Sequence, residues 1–226
     1  MYKYETHLHT CETSKCGRSP GAEHAKFFAE QGYTGIFVTD HFFNGNVTVP
    51  RDLPWEKRVE LFKVGYDNAK EMGDKVGLDV FFGWEYSYGW AHFLTYNLGA
   101  DWLLANPDLL SWSVPDYIDH VHEAGGFIFH AHPFRLTNNP IMPVIPAKCD
   151  GVEIFNAGRS DAENQIAVDF ARSYRLPVTA GSDIHHIAAK RRAGVYSEER
   201  FATSADYCRA VIEGRVTLFE EYQENK

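Results

Sequence analysis

The sequence predicts an α/β barrel, strands alternating with helices around a closed sheet. Two observations carry that reading. Short apolar runs alternate with amphipathic stretches along the 226 residues, the rhythm that gives a parallel sheet. Six of those runs carry His, Asp or Glu at or near their downstream ends: Tyr4 to His9, Gly35 to His41, Val80 to Glu85, Phe127 to Pro133, Gly151 to Asn156 and Pro177 to His185. Short apolar runs bounded in this way read as buried strands. Chemistry spread over so many strand ends favours a closed barrel, where those ends share one mouth. An open sheet would focus its ligand at one switch point instead.

The elements follow in order. After the first strand, residues 20–30 read as a helix, with Ser19 as N-cap and Pro20 at the first position. Residues 55–75 form one longer amphipathic helix. Ala91 to Tyr96 is a further strand. Ser113 to Ala124 is a helix ending at Gly125-Gly126, and Asp161 to Tyr174 is a helix stopped by Pro177. Gly194 to Tyr196 and Val216 to Phe219 are late strands, with a helix from Ala205 to Glu213 between them, capped by Ser204. Residues 42–54 and 103–115 interrupt the rhythm as loops. Both follow strands of the chemical set, which makes them candidate walls of the site mouth.

Composition narrows the function classes. Apolar residues make up 44% and aromatics 15%, enough for a substantial core. No stretch approaches the roughly 20 apolar residues of a membrane span, and Met1 to Glu5 lacks the apolar segment of a signal peptide. The expected location is therefore the cytoplasm. Cys11, Cys16, Cys149 and Cys208 form no Cys-x-x-Cys pair, which argues against a zinc knuckle. The formal net charge of −9 does not favour a grip on long nucleic acid. It remains compatible with a small anionic substrate, because bound cations would set the local field and neutralise Asp40, Glu85 and Asp183.

The motifs gain meaning together. His7-Leu8-His9 puts two imidazoles on one strand face, since strand side chains alternate; alone, such a pair is as often structural as ligating. Asp40-His41 is equally plain by itself. Glu85 says more. A buried carboxylate needs a cation beside it, and residues 80–88 offer neither Lys nor Arg. His132-Pro133 and Ser182-Asp183-Ile184-His185 repeat the scheme. Imidazole and carboxylate are the ligands of divalent transition metals, and the joint pattern is that of a multi-metal hydrolase.

This ordered set of His-x-His, Asp-His, Glu, His, His-Pro and Ser-Asp-x-His resembles the polymerase and histidinol phosphatase (PHP) superfamily of metal-dependent phosphoesterases. The likeness runs from Tyr4 to about His185. It implies a distorted (β/α)7 barrel as a single domain over residues 1–226, with two to three divalent ions (zinc, manganese or iron). By motif, His7, His9, Glu85 and Asp183 would hold the first ion. Glu85, His92 and His132 would hold the second, with Glu85 bridging. His41 and His185 would hold the third, and Asp40 completes the candidate set. One departure stands out: family members often carry a further His or Asp soon after His-x-His, and residues 10–17 contain neither. Either Cys16 or Glu12 substitutes, or the third ion is weak or absent.

The remaining histidines read more simply. His24, His120 and His122 sit on expected helices, His186 in a loop, and His130 shares a strand face with His132, where it could support the ligands. Arg135 and Arg159 lie just downstream of the motifs, and arginine forks match phosphate; solvated surface charge is the simpler reading for each. The run Lys190-Arg191-Arg192 reads as a solvated face. The expected activity is hydrolysis of a small phosphomonoester by metal-activated hydroxide, with Glu85, Asp183 and Arg135 as the catalytic groups. Two rivals remain: an amidohydrolase-like metallo-hydrolase of C–N or C–O bonds, and a non-catalytic domain that retains its metals.

Overall fold

The computed structural model describes residues 1–136 and 144–222. Nine strands form one sheet: β1 (Tyr2–Leu8), β2 (Gly35–Val38), β3 (Asp79–Tyr88), β4 (Ala91–Tyr96), β5 (Phe127–Ala131), β6 (Gly151–Asn156), β7 (Val178–Gly181), β8 (Arg191–Ser197) and β9 (Val216–Tyr222). Their order is β7-β6-β5-β4-β3-β2-β1-β8-β9. The sheet curls until the chain leaving β7 meets the end of β1. There Ile184 bridges Leu8 in parallel; Ile184 N donates to His7 O (3.1 Å) and His9 N donates to Ile184 O (2.9 Å). The fold is a distorted α/β barrel, and its closing seam runs through the first and last chemical motifs.

The sheet is mixed, where alternation of strands and helices had implied parallel strands. β4 is antiparallel to both β3 and β5, and β8 is antiparallel to β1 and β9. Only Gly89 and Trp90 separate β3 from β4, and two residues make a hairpin, never a crossover. Gly89 takes the left-handed conformation of that turn (φ 58°).

The helices are α1 (Gly21–Glu30), α2 (Trp55–Phe62), α3 (Val64–Val76), α4 (Ala100–Ala105), α5 (Val114–Glu123), α6 (Asp161–Tyr174) and α7 (Ser204–Ile212). The single helix expected over 55–75 is broken at Lys63. Thr13 Oγ1 donates to the Phe62 carbonyl (3.1 Å), tying that turn to the loop after β1. Gly65 then lets α3 approach the same loop, where a Cβ would stand 2.0 Å from Thr10 Oγ1. The loop expected over 103–115 contains the end of α4 and a 3-10 turn at Leu109–Ser111.

Two expected caps are displaced by one residue. Pro20 occupies the N-cap of α1 without a side-chain bond; the Gly21 N–H donates to the Glu12 carboxylate, while Ser19 Oγ accepts from Ile187 N. Thr203 caps α7 in a reciprocal capping box with Asp206, and Ser204 is its first residue. Ser113 caps α5 as expected.

Helix α7 plugs the barrel end away from the chemical strand ends. Its Tyr207 ring packs on Phe37, Tyr96 and Phe129, and its hydroxyl bonds Thr179 (2.7 Å). Burial of each such ring contributes on the order of 1.5–3 kcal/mol. This apolar floor leaves the polar interior confined to the opposite mouth. No helix among the described residues is long and apolar enough to cross a membrane.

Candidate metal centre

The site grows from the downstream end of β1. Strand alternation puts Glu5, His7 and His9 on one face, and all three are fully buried. The His7 and His9 Nε2 atoms face each other at 3.1 Å. Both rings are held from behind. His7 Nδ1 lies 3.0 Å from Glu153 Oε1, so a proton sits on Nδ1 and Nε2 is the atom that faces the site. His9 Nδ1 lies 3.2 Å from Ser14 Oγ. Since the Ser14 hydroxyl donates to Asp40 Oδ1 (2.6 Å), the His9 Nδ1–H is the donor in that contact, again freeing Nε2.

Glu85 stands at the centre on β3. Its Oε1 lies 2.7 Å from His92 Nδ1, 3.1 Å from His132 Nε2 and 3.5 Å from His7 Nε2. Its Oε2 lies 2.5 Å from His41 Nδ1 and 3.7 Å from His9 Nε2. Burial works to raise the Glu85 pKa, but His92, His41 and His132 outweigh it and hold the carboxyl well below the usual range. Asp183 is held low against burial in the same way, chiefly by His7 and His9. Its Oδ1 approaches His9 Nε2 (3.2 Å) and His185 Nδ1 (3.6 Å). His185 Nδ1 is occupied by the Asp183 carbonyl (2.8 Å), which leaves Nε2 as its available donor atom.

Asp183 and His132 both have positive φ (54° and 27°), a conformation that costs on the order of 1–3 kcal/mol in non-glycine residues. Buried carboxylates hold both turns: Glu153 Oε2 accepts from His132 N (3.0 Å), and Glu5 Oε1 accepts from Ser182 N (2.9 Å). At these turns the His132 ring reaches Glu85, and the Asp183 carboxylate reaches His9 and His7.

Four overlapping groups have donor atoms within 4.8 Å of one another: His7-His9-Asp183, His7-Glu85-His132, His41-Glu85-His92 and His9-His41-His185. The residues fit divalent cations. Glu85 Oε2 and His41 Nδ1 are buried without a hydrogen bond of proper geometry, although they stand 2.5 Å apart. Close approach without alignment suits two ligands aimed at one cation better than a donor and its acceptor. Nitrogen and oxygen donors of this kind suit zinc, manganese or iron.

The structure thus brings together His7, His9, His41, Glu85, His92, His132, Asp183 and His185. It does not bring Asp40. That carboxylate accepts from Thr10 N (2.7 Å), Thr10 Oγ1 (2.7 Å) and Ser14 Oγ (2.6 Å), and these bonds turn it away from the cluster. Its place is behind His9, through Ser14. Glu12 is also elsewhere, engaged with Gly21 N and Asn68 Nδ2 (3.0 Å), whereas Cys16 lies against His41 and His185. His130 stacks on Phe93 (4.7 Å) and joins none of the four groups. Glu5 and Glu153 carry no role in the sequence reading. Their signal was available: each is an acid within an apolar strand run, Glu5 in register with His7 and His9.

A cavity of about 420 Å³ opens above the cluster. Arg135 and Arg159 both line it, together with Asn44, Ser87 and Trp90. Arg159 reaches Asp183 Oδ2 at 3.5 Å.

A structure from Bacteroides vulgatus, a two-domain protein containing a predicted PHP-like metal-dependent phosphoesterase, superposes with TM-score 0.72 at 18% identity. The match covers 96% of this chain and 64% of that one. The chain has a PHP-type barrel. A family model described as PHP-associated matches residues 161–216, from α6 into the start of β9. The lesion-specific endonuclease PfuEndoQ from Pyrococcus furiosus shares the barrel at TM-score 0.59 and 14% identity, over 96% of this chain and 57% of that one. So does an amidohydrolase from Chromobacterium violaceum with bound sulfate, at TM-score 0.52 and 14% identity, over 81% and 87%. No curated protein matches the chain. The PHP-type barrel thus spans under two thirds of the Bacteroides protein, and these likenesses establish the fold alone.

Proposed function

We propose that this chain is a metal-dependent phosphoesterase that hydrolyses a small phosphomonoester. The observation that carries the reading is the shared cavity: two arginines, Arg135 and Arg159, line the same space as the His/Glu/Asp cluster. Cations and arginine forks around one small volume suit a phosphoryl group. A cavity of about 420 Å³ suits a small ligand better than a polymer track, and the net charge of −9 agrees.

In this reading His7, His9, Asp183 and Glu85 would hold one cation, and Glu85, His92 and His132 a second. His41 and His185 would hold a third, with Cys16 beside them. Bound divalent cations supply Lewis acidity and bring the pKa of water toward 7. The chain does the rest. Glu85 shares its two oxygens among rings from β1, β4 and the ends of β2 and β5, fixing their spacing. Glu153 and the Asp40–Ser14 pair lock the tautomers of His7 and His9. Arg135 and Arg159 take the non-bridging phosphoryl oxygens, and Asp183, beside Arg159, sets where that guanidinium points. The groups lie on strand ends braced from behind, so little reorganisation is needed as charge develops.

The amidohydrolase-like reading fits less well. Glu85 already occupies the shared central position, and among the described residues no Lys lines the cavity. Assay of the metal-loaded protein against phosphomonoesters, phosphodiesters and lactones tests the choice. Turnover of phosphomonoesters first, abolished by chelation and restored by metal, is the expected result. Lactone turnover without phosphatase activity would overturn it, and so would binding of metal with no turnover of any substrate.

A further inference from the structure

The β3–β4 hairpin carries an aromatic group that folding does not use. Of the five tryptophans, Trp55, Trp84, Trp102 and Trp112 each pack against another aromatic ring. Trp90 has no ring partner among the described residues and is 45% exposed. It lines the cavity above the cluster. What sets this indole apart from other exposed side chains is that it lines the same cavity as Glu85, His92 and both arginines.

Its position relative to the chemistry is fixed. Trp90 precedes His92 by two residues, and Ala91 between them is buried in the apolar cluster behind the sheet. Trp90, in the two-residue turn, and His92, on β4, both line the cavity, while Ala91 packs into the apolar cluster. A phosphoryl group held at the Glu85–His92 end of this cavity would have its leaving group in the space that Trp90 also lines.

The hairpin is also set in advance. Asn44, from the loop after β2, clamps it: Asn44 Nδ2 donates to Ser87 O (2.5 Å) and Asn44 Oδ1 accepts from Ser87 N (3.1 Å). Gly45 admits this contact, since a Cβ there would stand 2.7 Å from Ser87 Oγ. A braced turn holds the indole over the cavity before any ligand arrives, so less ordering entropy is lost on binding.

We propose that Trp90 is a stacking platform for a planar ring on the leaving group, which makes ring-bearing phosphomonoesters the substrate class of this site. The inference rests on the phosphoesterase reading and adds the second half of the substrate to it. Trp90 selects the ring by π contact; the arginines and the cluster hold the phosphoryl end.

Non-hydrolysable phosphonates test this by titration calorimetry on the manganese-loaded protein. Phenylphosphonate should bind roughly tenfold tighter than methylphosphonate and clearly tighter than cyclohexylphosphonate, the order expected for ring stacking. Trp90→Ala should bring the phenyl-to-methyl ratio close to one, and Trp90→Phe should keep most of it. Equal binding of all three by the wild type would overturn the proposal and leave the phosphoesterase reading standing. So would a phenyl preference that survives in Trp90→Ala, or cyclohexyl binding as tight as phenyl. Binding of none of the three would overturn the phosphoesterase reading and this proposal with it.

Discussion

His41 Nδ1 and Glu85 Oε2 stand 2.5 Å apart in a buried site, and neither makes a hydrogen bond of proper geometry. The two belong to neighbouring strand ends: His41 follows β2, Glu85 lies within β3, and their backbones are joined by a parallel bridge. Glu85 N donates to Asp40 O (3.0 Å) and Phe42 N donates to Glu85 O (2.9 Å). The backbone thus fixes the imidazole and carboxylate side by side, a placement that suits two ligands of one cation.

Glu85→Gln should therefore strip the centre. Losing the shared charge removes an anionic donor from two of the donor groups at once. Bound metal per chain, read by elemental analysis after gel filtration, should fall by at least one ion. Hydrolysis should fall by more than about 100-fold. A variant retaining both full metal content and full activity would show that Glu85 is not shared.

Glu153→Gln tests the support behind the rings. Glu153 meets His7 Nδ1 (3.0 Å), His132 N (3.0 Å) and Asn156 Nδ2 (2.8 Å). The amide can still accept a hydrogen bond but gives up the charge that raises the basicity of His7. Metal affinity, measured by competition with a chelator, should drop roughly 10–100-fold. The thermal midpoint of the metal-free protein should move little.

The third position should differ from the other two. It has His9, His41 and His185 within 4.8 Å, Cys16 against two of those rings, and neither Glu12 nor Asp40. Stepwise titration with cobalt(II) should fill it last, and a sulfur-to-cobalt absorption band should then appear and vanish in Cys16→Ser. Three ions bound with equal affinity and no such band would refute the assignment.

Arg135→Ala should raise KM more than it lowers kcat, because a guanidinium on a non-bridging oxygen acts in both the ground and the transition state. A selective loss of kcat would instead place it on the leaving-group oxygen.

His24 sets an acid limit away from the cavity. It is buried beside Phe28, neither ring nitrogen has a hydrogen bond of ordinary geometry, and burial drives its pKa down to about 3, with the His9 backbone pulling back only in part. A folded-state pKa below the ordinary 6.5 favours the neutral ring. The associated stability is complete above pH 6.5 and is lost as pH falls from 6.5 towards 3. At pH 4.5 the loss is about 1–3 kcal/mol. His24→Leu should flatten the fall of thermal midpoint between pH 7 and 4.5. An unchanged slope would mean that His24 is already charged in the folded protein.

The strands that carry the chemistry are legible in residue order alone. Apolar runs and alternation are local properties, so His7, His9, His41, Glu85, His132, Asp183 and His185 could be picked out without a fold, whereas His92 came only with the family resemblance. Arg135 and Arg159 were legible too, as arginines just downstream of those runs. Which groups become neighbours depends on the closed barrel. Asp40 and His41 are adjacent in sequence, yet Thr10 and Ser14 draw the carboxylate behind the site while the imidazole meets Glu85. Glu153 lies 146 residues from the His7 that it orients, a separation across which no periodicity carries information. The break at Lys63 depended on Thr13 reaching the Phe62 carbonyl, and the antiparallel β4 on a two-residue turn whose partner strand the pattern did not specify. Spacing along the chain reports which face a residue takes. What that face meets is set by strand curvature and by backbone strain at His132 and Asp183, and these exist only once distant segments have closed the barrel.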